Sequence, residues 1–375
     1  MAQFLNFGNG SDAAATLSGT FSPIDSSCAG TGNGTNRNLS ATNASFSAGQ
    51  MILIHQTRGT GVGAWEINQI ESYIAGTITC VYPLVNTYTD SGASQAQVLV
   101  LPQYSSVTVS GTLTAKAWDG NVGGIIAFLC SGRVTVSGTI SANGTSAGSG
   151  NESAPTGAGF AGGSRATGSG SQAAAQGEGS VGAGSTSTAA NGSAGGGASK
   201  TDAAYAGGGG GGHNGAGSAG STSIVSGSAT AGSGGGSVGS SALSELHFGG
   251  GGGGGVKDNS TDAGCGGAGA GIILIFGREI VITGTVIAAG GTGGHYALTN
   301  HGGGGGGGGG TIFLKGESVD YSSGTVSVAG GTPGNAAGPG AVGRIRIEAC
   351  SRSGSVLDTE SLGGYSFCSS DSQIF

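Results

Sequence analysis

Charge is what this sequence has least of: 8% of its 375 residues are Asp, Glu, Lys or Arg, against about 25% in ordinary globular chains. That balance excludes coiled coils, helical bundles and most enzymes. The 12 Lys and Arg nowhere cluster and the net charge is −7, so electrostatic binding to nucleic acid or to an anionic membrane is not expected. A run of about 18 apolar residues is also missing, and no membrane insertion is expected. The opening MAQFLNFGNGSD lacks a basic stretch followed by an apolar core, so no secretory signal is expected. A surface protein of this kind would leave its cell by lysis or by another export route. The six cysteines are too widely spaced for Cys-x-x-Cys knuckles, and neither a metal nor a cofactor is expected. Catalytic motifs are missing as well. No HExxH occurs, no GxSxG sits between a strand and a helix, and GxGxxG strings merely follow the glycine content. The charges at Arg133, Glu279, Glu317, Asp320, Arg344, Arg346 and Glu348 form no recurring cluster, so the chain is expected not to be an enzyme.

What is there in excess is glycine, 88 residues, over three times the usual ~7%. Nine are consecutive at Gly302 to Gly310, seven at Gly249 to Gly255 and six at Gly207 to Gly212. Around these tracts runs a repeat. VLVLPQYSSVTVSGTLTA from Val98, IIAFLCSGRVTVSGTISANG from Ile125, IILIFGREIVITGTVIAAGG from Ile272 and TIFLKGESVDYSSGTVSVAGG from Thr311 share alternating apolar residues, a Gly-Thr turn and a second apolar pair. GRIRIEAC from Gly343 is a partial fifth copy. Alignment on Gly111, Gly138, Gly284 and Gly324 puts Val107/Val109, Val134/Val136 and Ile280/Ile282 in register, while Val319/Tyr321 slips by one residue. Alternation with period two marks strands with one buried face. Repeats of roughly twenty residues with no helix between them suggest the coils of a parallel β-solenoid; a β-sandwich of hairpins is the rival arrangement.

The tracts enter at the same point of successive coils, so they must project from one side and lie together. They have too few large apolar side chains for a core (Ile224, Val225, Leu243, Leu246 and Phe248 are most of them). Order must then come from the backbone. Extended polyglycine with three residues per turn points every N–H and C=O outward, and neighbouring helices can exchange those bonds. The expected fold is therefore all-β: short parallel β-solenoid-like repeats with an inserted polyglycine type II (PPII) helix bundle, plus an N-terminal β-domain. Loose glycine loops and glycine-bearing β-structure are the alternatives, since flanks such as GAGFAGGSRATGSGSQ show no strict period of three. The division reads 1–97 for the N-terminal domain, 98–143 and 272–350 for the repeats, 144–271 with 290–310 and 330–343 for the glycine bundle, and 351–375 for a C-terminal tail.

The tract ends GGGGGGHNG at Gly207, HFGGGGGGGV at His247 and HGGGGGGGGGT at His301, over roughly 144–340, resemble the adhesins at the ends of long tail fibres in T-even-like bacteriophages. Those proteins carry receptor-binding loops on sandwiches of polyglycine helices. The chain departs from that group in its length, its repeats and its amino-terminal region, which leaves the mode of attachment open. The resemblance implies a non-enzymatic fibre or adhesin, extracellular or on a virion surface, that binds a cell-surface glycan or an outer-membrane protein. It also implies a fibre or filament partner held by the N-terminal domain, and it is compatible with a homo-oligomer. A self-assembling extracellular filament subunit is the alternative. The candidate receptor-binding residues are those at tract ends: Tyr205, His213, Asn214, His247, Phe248, Lys257, Asp258, His295 and Tyr296. Aromatic and imidazole rings bury area at low entropic cost in binding loops. The same residues could instead cap the bundle or fill its seam with the repeats.

Overall fold

The computed structural model describes residues 7–148, 153–167, 171–201, 204–224, 227–257, 263–295 and 301–356. Among them every regular element is a strand. The longest apolar alternations, Ile125–Val136, Ile272–Ile282, Thr311–Asp320 and Arg344–Ser353, lie side by side as a parallel sheet. Ala14–Thr16 and Ser106–Val109 extend it on the other edge. A second parallel sheet runs Gly19–Phe21, Thr112–Ala115, Thr139–Ser141, Thr285–Ile287 and Thr325–Ser327. Successive passes of the chain thus give a strand to each sheet. Val107, Val134, Ile280 and Val319 align in one row. Leu113, Ile140, Val286 and Val326 align in the other sheet, and all eight share one buried core.

The corners explain the turn glycines by close approach. A Cβ on Gly138 would lie 2.0 Å from the Gly111 carbonyl oxygen, and one on Gly284 would lie 2.0 Å from that of Gly138. The slip expected in the last copy is a longer corner: four residues, Tyr321 to Gly324, separate the two strands where Thr283 and Gly284 suffice one pass earlier.

Asp25–Ala29, Asn38–Ala41, Met51–Arg58, Trp65–Ile74, Thr77–Cys80 and Gln95–Val100 close into an antiparallel barrel around Leu39, Ile52, Ile54, Ile70 and Ile78. The thiols of Cys28 and Cys80 are unpaired in this core. Burial pushes Cys80 up to about 12 and raises Cys28 too, so both are inert packing groups. The barrel runs to Val100, and Ala14–Thr16 and Gly19–Phe21, expected in the N-terminal domain, pair instead into the two parallel sheets.

The three long glycine runs lie beside the sheets and are bonded through their backbones. The N–H groups of Gly302, Gly305 and Gly308 donate to the carbonyls of Val256, Gly253 and Gly250. Those of Gly303, Gly306 and Gly309 donate to Asn335, Gly338 and Ala341. Those of Gly304, Gly307 and Gly310 donate to Gly294, Gly291 and Ala288, all nine at 2.6–3.0 Å. The direction of bonding repeats at every third residue. Carbonyls of the same run accept from three further segments: Gly302 and Gly305 from Gly264 and Gly267, Gly303 and Gly306 from Gly208 and Gly211, and Gly304 and Gly307 from Gly334 and Gly331. The 249–255 run behaves alike, its donors turning successively to 264–270, 209–212 and 175–178. Glycines 302–310 are absent from the left-handed φ region, so close approach, rather than backbone freedom, is what requires them.

One end of this array is plugged into the barrel. Phe248 packs edge-on against Trp118 and Phe160, with ring centroids 5.6 and 5.4 Å apart. Arg58 of the barrel forms a buried ion pair with Glu178 of the array, and Trp118 Nε1 donates to the same carboxylate at 3.0 Å. Breaking a buried charge pair costs more than the pair itself contributes. Glu178→Gln is expected to destabilise the chain by about 2 kcal/mol, seen as a lower urea midpoint; an unchanged midpoint would show that the pair contributes nothing.

Candidate functional site

The direction of the runs sorts the tract-end residues into two groups. Gly310, Gly271 and Gly343 lead straight into strands of the large parallel sheet, and Gly212, Gly250 and Gly308 bond to one another at that same end. Ala206, Val256 and Gly302 are linked at the opposite end. His213, Asn214, His247 and Phe248 belong to the first group; Tyr205, Lys257 and His295 belong to the second. Asp258 and Tyr296 lie outside the described residues.

The first group sits in the seam with the barrel and the large sheet. His213 is 0% exposed, His247 5% and Phe248 1%, which corrects the expectation that they face a partner. The His213 ring accounts for its own burial. Its Nε2 lies 3.1 Å from the His247 carbonyl oxygen, an acceptor, so this nitrogen carries the proton. Its Nδ1 is buried with no partner. A second proton there would be a buried donor without an acceptor, and burial lowers the ring to about 3. His55 of the barrel, whose Nε2 contacts the Leu246 carbonyl at 2.9 Å, is lowered by burial to about 4. His247 is also lowered by burial, partly offset by Glu245 at 3.2 Å. Asn214 accepts from Arg344 of the last long strand. These groups clip the array to its base.

The opposite end has no such cover among the described residues. Lys257 bridges to His301, and Ala206 to Val256. Ala204–Ala206 pairs antiparallel with Thr222–Ile224, and beside it Gln172–Ala173, Ser199–Thr201 and Ser228–Thr230 make a three-stranded antiparallel sheet. Ala166, Ala174, Ala198, Ala206 and Val256 plug the space beneath. Small methyls suffice here because the neighbouring backbones lie so close. Tyr205 is half-buried and His295 exposed, whereas Lys257 and His301 are each 4% exposed. Lys257 therefore braces this end and does not project from it, a second correction.

Sequence reasoning missed the groove on this end. About 430 Å³ in volume, it is lined by Gln172, Lys200 and the hydroxyl residues Ser199, Thr201, Ser228 and Thr230. Both amide atoms of Gln172 are buried without a hydrogen-bond partner. The available signal was local: SQAAA, SKT and SAT interrupt the alternation of glycine with small residues. Among the described residues no group of three or more His, Cys, Asp or Glu could hold a metal ion.

No family model and no curated protein matches the chain. Among solved structures it is similar to the Gp54 tailspike of Acinetobacter baumannii bacteriophage AP22 in complex with A. baumannii capsular saccharide, with 11% identity and a TM-score of 0.21 over 92% of this chain and 56% of the tailspike. The chain spans little more than half of that protein, and a score this low establishes no common fold.

Proposed function

We propose that this chain is a non-enzymatic receptor-binding tip of a surface fibre, extracellular or on a virion, with the glycine array as its rod. In this reading the stacked sheets are a short β-solenoid and the glycine runs are polyglycine type II helices, each inner one surrounded by six neighbours. The observation that carries it is the return of the same hydrogen-bond direction at every third residue along 302–310, the period of a helix with three residues per turn. Nine such residues span roughly 28 Å. A rod of that kind is rigid without a greasy core and loses little entropy on binding. One end is clipped to the barrel and the sheets, which leaves the Tyr205 and His295 end to meet a cell-surface glycan or outer-membrane protein, with the barrel facing the rest of the fibre.

The test compares the two ends. The double change Tyr205→Ala, His295→Ala is expected to weaken binding to a panel of Gram-negative cells at least tenfold, or about 1.4 kcal/mol, without moving Tm. Binding equal to the parent chain would refute the assignment. A second reading has one observation of its own: Arg344–Ser353 pairs on one side only among the described residues, and such an edge invites another strand. Long fibres from purified protein, seen by sedimentation or electron microscopy, would favour the filament over the tip.

A further inference from the structure

The groove beside Tyr205 has a chemistry that selects its occupant, and its interpretation rests on the reading of this end as the receptor-facing one. Its lining offers hydroxyls from Ser199, Ser228 and Thr230 and the amide of Gln172, beside a Thr201 hydroxyl bonded to the Ser228 backbone and a buried Lys200. Ala173 is the one apolar residue that lines it, the rest of its apolar surface being carbon stems of polar side chains, so no large apolar side chain is there to receive the aromatic or aliphatic anchor that a protein partner inserts. Gln172 is paired directly opposite Lys200 in the three-stranded sheet, so the sheet fixes where its side chain starts. Both ends of its amide lack partners, though both are buried. A buried amide left unmade at both ends is costly, and a ligand that donates and accepts side by side would remove the cost.

We propose that this groove binds an acetamido sugar, with the acetamido group closing both hydrogen bonds to Gln172. The acetamido N–H donates to Gln172 Oε1, and its carbonyl accepts from Gln172 Nε2. The surrounding Ser and Thr hydroxyls serve the ring hydroxyls, which both donate and accept. A site built to pair an N–H rejects an analogue that lacks it, because its own polar group is left unpaired.

Chitobiose in its N,N′-diacetyl form and cellobiose differ in the acetamido groups alone and make the probe. Titrated into the full chain by calorimetry or ligand-observed NMR, chitobiose is expected to bind at least tenfold more tightly than cellobiose. Gln172→Met should abolish that preference with circular dichroism and Tm unchanged. Gln172→Glu, which keeps the side-chain length but loses the N–H donors, should abolish it as well and covers the case in which the methionine variant does not fold. Equal binding of the two sugars, no binding of either, or a preference that survives both variants overturns the proposal. Cell binding separates this from the broader reading. If the sugar preference fails while Tyr205→Ala, His295→Ala still weakens cell binding, the groove is refuted and the receptor-facing end stands. If the preference holds while cell binding ignores those alanines, the groove is a sugar site and the fibre-tip reading falls.

Discussion

Gly306→Val is expected to leave little or no folded protein. A Cβ at Gly306 would lie 2.0 Å from the Gly331 carbonyl oxygen and 3.0 Å from the Gly340 nitrogen, so the run and its neighbours must separate by more than an ångström. Gly306 donates to Gly338 and accepts from Gly211, and the adjoining Gly305 and Gly307 donate to Gly253 and Gly291. Each buried backbone bond left unmade costs about 1–3 kcal/mol. Losing three or four would consume most of the 5–15 kcal/mol of a typical domain. Where the chain still folds, Tm should fall by more than about 10 °C. Gly215→Ala is the control, because a Cβ there meets nothing within 4 Å. A Gly306→Val protein that melts with the parent chain would mean that the tight lateral contacts do not hold the array together.

Acid is expected to loosen the same molecule at its seam. His55 and His213 are held neutral, at about 4 and about 3 against 6.5, chiefly by burial. The unfolded chain therefore takes up these protons first. Stability is complete above about pH 6.5, declines as pH falls towards 4 and 3, and levels off below. By pH 4.5 the loss should be on the order of 2–3 kcal/mol for each imidazole. Asp320, held at about 2 by bonds from Ser353 and Ser322, loses its contribution only below its ordinary range, so it does not confuse this window. Urea unfolding at pH 7.5 and 4.5 reads the effect, and the double variant His55→Gln, His213→Gln should flatten it. Equal stability of the parent chain at the two pH values would contradict the burial of neutral rings.

Much of the architecture was legible because a period of two is hard to disguise. The rows through Val107, Val134 and Ile280 followed from aligning turn glycines, and close stacking of those corners is the reason the glycines recur. The pass Ala14–Phe21 was missed although SGTF at Ser18 repeats the turn of SGTL at Ser110 and SGTI at Ser137. Its strands are three residues each, with mostly exposed side chains, so no apolar alternation announced it. The period of three was hidden for an opposite reason. Inner runs need glycine at every position and thus carry no pattern, while an outer segment needs it only where it faces inward. Gly217 and Gly220, three apart, would each drive a Cβ to 2.2 Å from a carbonyl of the 207–212 run, whereas Ala216, Ser218, Ala219 and Ser221 are exposed. The tract-end residues misled because a glycine run has two ends and the sequence does not say which is anchored. His213 and His247 mark the anchored one.

Satisfying peptide groups against each other, with few apolar side chains, has a calorimetric consequence. Unfolding such a block hydrates amides and little hydrocarbon, and amide hydration lowers heat capacity whereas hydrocarbon hydration raises it. The glycine array should therefore add almost nothing to the heat-capacity increment of melting, and the stability curve of the whole chain should be flatter than its length implies. Such a chain would hold its fold across a wide range of temperature, cold as well as warm.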